Sequence, residues 1–204
     1  MKRFFLSLTF LAVTFCATAQ WSFELWHEGR VVLETGDTLR GQVKYDLQQD
    51  LIQFTNKKET IEALTARKVV FCEIFDKTVG QYRQFYSLPY STSSGYKTPI
   101  FFELIGEGKL TVLCRERLEN QTSSSPYYYG STYSRTVLVN KYYLLSEKME
   151  ITELSVRKAD VMNLFGKHAD HMNDYMKDNK LKLDDKQDLI KIVNYYNSLF
   201  KTTK

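Results

Sequence analysis

ETGDTLRGQVKYD, residues 34–46, can be read in two ways, and the choice decides the fold. Gly36 and Gly41 flank Asp37, Thr38 and Arg40, a composition shared by phosphate-cradling loops and by hairpin turns. A phosphate loop needs several glycines and a helix directly after them, so that amides and dipole point at the anion. Here Leu39, Gly41, Val43 and Tyr45 alternate with Arg40, Gln42 and Lys44. Period two is the signature of a half-buried strand. Gly36-Asp37 therefore reads as a structural hairpin turn, with glycine supplying a positive φ.

The same pattern extends outward. From residue 29 to 154 the chain reads as strands: around Ile52 and Phe54, over 69–75, 101–105, 110–114 and 137–145, with 149–154 as a partner of the last. The run 69–75 is almost wholly apolar and is expected to be covered on both faces. Gly106-Glu107-Gly108 suits a hairpin connection. Two polar interruptions, 90–99 and 120–135, are read as loops. After Val156 the spacing turns helical. Val161, Leu164 and Phe165 stop at Gly166; Ala169, Met172, Tyr175 and Met176 form a second stripe. Leu189, Ile192, Val193, Tyr196, Leu199 and Phe200 form a third, with Asp184 and Gln187 resembling a capping pair at its start. Strands without intervening long helices, followed by helices, predict an α+β fold. The body is a mainly antiparallel sheet, sandwich or partly open barrel over 20–154. Two to three helices over 155–204 pack on it.

The N-terminus carries an address. Lys2 and Arg3 precede a short apolar stretch that ends at Ala17-Thr18-Ala19. That is the layout of a cleaved secretory signal over residues 1–19. A lipoprotein signal using Cys16 would place Phe15 where a small residue is wanted. The expected location is exported: periplasm, outer-membrane-associated or extracellular. No later apolar run is long enough for a transmembrane helix. Without Lys2 and Arg3, the 28 basic residues fall to 26 against 24 acidic. Near-neutral charge with no basic block speaks against nucleic acid as a partner.

Candidate sites are few. Tyr127, Tyr128, Tyr129 and Tyr133 sit on a Ser/Gly frame, a chemistry suited to contact with an envelope protein or a glycan. His168 and His171, with Asp174 as a third ligand, make the one metal-like cluster. No further histidine lies near it, so His168 is read as a packed interface residue. Cys72 and Cys114 could form a disulfide in an oxidising compartment, or serve as two small buried hydrophobes. Glu103, Glu107, Glu116 and Glu119 could pair as acid and base, although any charged sheet protein offers such pairs. Nothing resembles a nucleophile elbow, and no cofactor is expected.

Four segments together resemble a family of uncharacterised exported Bacteroidetes proteins. They are the G-x-V-x-L-x-x-G-D-T-L-x-G-Q-V-x-Y hairpin of 29–45, FFELIGEGKLTVL at 101–113, KYYL at 141–144, and the helical close of 175–199. The signal ending Thr18-Ala19-Gln20 fits the same group. The resemblance implies export and a shared sheet-and-helix body, but no catalytic residue, activity or cofactor.

Overall fold

A computed structural model describes residues 21–56, 60–91, 95–124 and 132–200. The chain is α+β: one open, ten-stranded antiparallel sheet followed by helices. The strands are β1 (His27–Leu33), β2 (Thr38–Asp46), β3 (Leu51–Thr55), β4 (Glu62–Thr65) and β5 (Val69–Asp76). After them come β6 (Gln81–Tyr90), β7 (Thr98–Gly106), β8 (Thr111–Ser124), β9 (Thr132–Leu145) and β10 (Ile151–Leu154). Across the sheet they run β10-β9-β8-β7-β6-β5-β1-β2-β3-β4.

The opening hairpin joins β1 to β2 in the register Val31↔Leu39 to His27↔Val43. Its loop is four residues, 34–37. Gly36 takes φ +91° and donates its N–H to the Leu33 carbonyl at 2.9 Å. The Thr35 hydroxyl donates to the Asp37 carboxylate at 2.8 Å. No helix follows, so the segment builds sheet.

Strand order forces the sheet to curl. β4 lies at one edge and β5 four places inward, yet residues 66–68 alone connect them. That link reaches at most about 14 Å, whereas four strand spacings on a flat sheet span about 19 Å. The first five strands must therefore bend round towards one another, leaving β4 and β5 close without a ladder between them. Gly29 and Gly41 face each other across β1 and β2. A Cβ on either would lie 2.4 Å from a neighbouring strand's carbonyl oxygen, so only glycine permits that approach. Inside the bend, Val31, Val43, Ile52, Phe54, Leu64, Val69 and Cys72 form a core without any helix. The Tyr45 ring reaches over to Phe85 at 5.3 Å and Phe101 at 5.8 Å between centroids.

The other half of the same face is covered by helices. These are α1 (Lys158–Phe165), α2 (Ala169–Asp178) and α3 (Lys186–Ser198), with a 3-10 turn, Gly166–His168, between the first two. Val161, Phe165, Met172, Met176, Leu189, Ile192, Val193 and Tyr196 pack on Ile105, Val112, Cys114, Tyr142 and Leu154. Asn197 pins the end of α3: its amide donates to the Leu110 carbonyl and accepts the Leu110 N–H, both at 2.8 Å. The N-cap of α3 is Asp185, whose carboxylate accepts the Asp188 N–H, rather than Asp184.

Three expectations are corrected, the first being the loop 90–99, whose ends are strand: Tyr90 closes β6 and pairs with Thr98, which opens β7. β5 is not covered on both faces: Val70 is 49% exposed, and Phe71, Glu73 and Phe75 are half-buried on the outer side. Residues 120–124 and 132–135 are strand, since β8 and β9 continue as one long hairpin from Thr111↔Leu145 to Ser124↔Thr132. β4 and β6 went unread. β6 carries Pro89, and its aromatic and polar residues mask its alternation.

Candidate functional site

Where the two inner cores meet, charge replaces hydrocarbon. Arg83 lies on β6, Glu103 on β7, Glu116 on β8, and Lys186 opens α3. The Arg83 guanidinium forks onto Glu103, Nε to Oε1 at 2.9 Å and Nη2 to Oε2 at 2.7 Å. Its Nη2 also lies 2.8 Å from Glu116 Oε1. From the helix side, Lys186 Nζ reaches Glu103 Oε2 at 2.6 Å and Glu116 Oε1 at 2.7 Å. Two cations thus bridge two carboxylates in a closed ring. Arg83 also stacks on Phe85, 5.2 Å from the ring centroid.

Asp76 lies beyond the ring, 3.4 Å from Arg83 Nη1. It accepts hydrogen bonds from the Ser22 hydroxyl, the Thr78 hydroxyl at 2.6 Å and the Thr78 N–H at 2.9 Å. Ser22 belongs to a single 3-10 turn, Ser22–Glu24, which this contact ties to the sheet. The buried His27 completes the attachment with Nε2 2.8 Å from the Ser22 carbonyl. An opening of about 250 Å³ beside the ring is lined by these charges together with Tyr82 and Gln187.

The electrostatics lock the protonation states. Burial alone would raise the Glu103 carboxyl, but the charges and hydrogen bonds of Arg83 and Lys186 outweigh it and hold it below the usual range. Burial alone would lower Arg83 and Lys186; Glu103 and Glu116 reverse that and raise both. Asp76, partly desolvated, is nevertheless lowered to about 2 by its hydrogen bonds from Ser22 and Thr78 and the charge of Arg83. A general acid needs a carboxyl raised towards neutrality, and an amine nucleophile needs a lowered pKa. Both groups move the opposite way. The ring joins helix to sheet.

The residues singled out in the sequence fall elsewhere. Tyr127, Tyr128 and Tyr129 lie outside the described residues, and Tyr133 is placed only as part of β9. His168 is half-buried in the 3-10 turn, its ring 5.3 Å from Phe200. His171 is exposed and shares a 3.0 Å hydrogen bond with the Tyr195 hydroxyl, while Asp174 pairs with Lys177 at 3.6 Å. No group of three or more His, Cys, Asp or Glu among the described residues is arranged to hold a metal. Cys72 and Cys114 are free and buried, one in each inner core. β6 and β7 lie between their strands, so no disulfide joins them. Burial raises both thiols, which are packing groups.

Of the four glutamates considered as pairs, Glu103 and Glu116 converge; Glu107 is exposed, and Glu119 is half-buried and pairs with Lys141 at 3.7 Å. Arg83, Lys186 and Asp76 went unread. The signal for Glu103 was its place between Phe101 and Ile105, a charge at an inward position of a period-two strand. Arg83 carries the same signal two residues before Phe85. No family model matches the chain, and comparison with curated proteins and with solved structures yields no match.

Proposed function

We propose that this is an exported envelope protein with a non-catalytic binding or structural role, whose partner is an envelope protein or a glycan. The observation that carries the non-catalytic half is charge compensation. Glu103, the carboxylate that both cations reach on the inner face, is held ionised by Arg83 and Lys186, which are themselves held protonated. The exported half rests on the signal-like residues 1–19 and on the resemblance to exported Bacteroidetes proteins.

A docking role through the C-terminal helices has less support. Tyr196 is buried at 7% exposure, and Tyr195 is half-buried against Tyr175, with ring centroids 3.7 Å apart. Of the three rings that would form such a patch, Phe200 alone is exposed.

Fractionation of native cells, with mass mapping of the mature N-terminus, tests the reading. The expected product begins at Gln20 or Trp21 and is absent from the cytosol. An intact residue 1–19 segment on a cytosolic protein would overturn it.

A further inference from the structure

The outer face of β1, β2, β5 and β6 is ordered by register into three rows. At one end Phe71 pairs with Tyr86, ring centroids 5.0 Å apart; at the other, Phe75 pairs with Tyr82 at 5.1 Å. Between them runs a polar row, Arg40, Arg30, Glu73 and Gln84, each opposite the next. Arg30 Nε donates to Glu73 Oε1 and Gln84 Nε2 to Glu73 Oε2, both at 2.9 Å. The aromatic rows stand four residues apart, roughly 13 Å, on the order of two to three pyranose rings.

Two details are poorly explained by sheet stability alone. Tyr82 is 69% exposed, a large ring left mostly in solvent. Arg40 faces Arg30 directly, a like-charge cross-strand pair that costs stability. Arg30 is neutralised by Glu73, while no hydrogen bond or ion pair holds Arg40 among the described residues; it acts on Glu73 through its charge alone. A groove of about 380 Å³ joins Glu28, Arg30, Arg40, Glu73, Phe75 and Tyr82.

We propose that this groove binds a neutral oligosaccharide chain, with its pyranose faces on Tyr82 and Phe75 and its hydroxyls on Arg40, Arg30, Glu73 and Glu28. The charge balance selects the class. Two arginines against two glutamates leave no net field to hold a polyanion. Hydroxyls both donate and accept, as this mixed row requires, and C–H faces stack on rings. A protein partner would want an apolar centre, and the centre here is the charged row. The inference deepens the binding half of the proposed function and does not depend on export. Failure here would leave the N-terminal mapping untouched.

The test is native affinity electrophoresis of the purified full chain through gels containing dextran, laminarin, xyloglucan or mannan, with alginate as the anionic comparison. Retardation by at least one neutral polysaccharide is expected. Tyr82→Ala and Arg40→Gln should each weaken it about fivefold or more, with unchanged unfolding temperature. The idea fails if none of the four neutral gels retards the protein, or if both variants migrate like the wild type. Retardation by alginate alone, abolished in ~0.5 M salt, would also overturn it by assigning the surface to anions.

Discussion

The two faces of the central strands each carry an arginine–glutamate pair, and they put it to opposite uses. On the inner face, Arg83 and Glu103 are buried and closed by Glu116 and Lys186. On the outer face, Arg30 and Glu73 make one contact of similar length, 2.9 Å, with the Arg30 side chain 41% exposed. Distance does not separate these pairs; solvent does. A buried pair has lost its hydration, so removing one partner strands a charge in low dielectric. An exposed pair exchanges one screened partner for water.

The largest effect should come from breaking the inner ring. Glu103→Ala or Arg83→Ala is expected to destabilise by about 3–5 kcal/mol, read by urea unfolding. The combined Arg83→Met, Glu103→Leu, Glu116→Leu, Lys186→Met variant should recover most of that loss, because no charge is then stranded. If it is as unstable as the single variants, the ring is held by more than mutual compensation.

The same contrast has a pH signature. Asp76 and Glu103 have folded pKa values below their unfolded ones. Their stabilisation is complete above the unfolded value and lost as pH falls through the folded one. For Asp76 that window runs from the ordinary carboxylate range, ~4, down to about 2. Lys186 is raised, so its contribution is full below the ordinary lysine value and disappears as pH climbs past it into the folded range. Unfolding curves against pH should therefore show an acid and an alkaline limb, and Asp76→Asn should flatten the acid one.

Smaller still is the turn that starts the sheet. Gly36 has positive φ and open space around it, so Gly36→Val should cost about 1–2 kcal/mol from backbone strain alone. An unchanged unfolding temperature would mean that the loop relaxes. At the bottom of the scale, Arg30→Ala should cost under about 1 kcal/mol and lose even that in high salt. A loss as large as that of Arg83→Ala would erase the distinction between the faces.

Which parts were legible follows from how far apart the cooperating residues lie. The 34–37 turn, the alternation of 39–45 and the three helical stripes are local, and local periodicity announces them. The ring is not local. Lys186 reaches Glu103 across 83 positions, and only the sheet's strand order places Arg83, Glu103 and Glu116 side by side. The curl was hidden for the same reason: the three-residue 66–68 link betrays it only once β4 and β5 have known places. The outer rows were misread at 69–75 because Phe71 and Phe75 count as apolar in a pattern, although their rings lie half in solvent.

Lys186 also couples the charge balance of the sheet to the docking of a helix. It sits on α3, the last described element, while its carboxylate partners lie on two strands formed much earlier in the chain. Until α3 docks, one guanidinium must serve both glutamates, and the slot between the two apolar cores holds an excess negative charge. Docking of α3 removes that charge and seats the Asn197 amide on Leu110 in the same movement. Refolding should therefore show a late phase, slowed by Lys186→Met, in which the helices close over a sheet that is already curled.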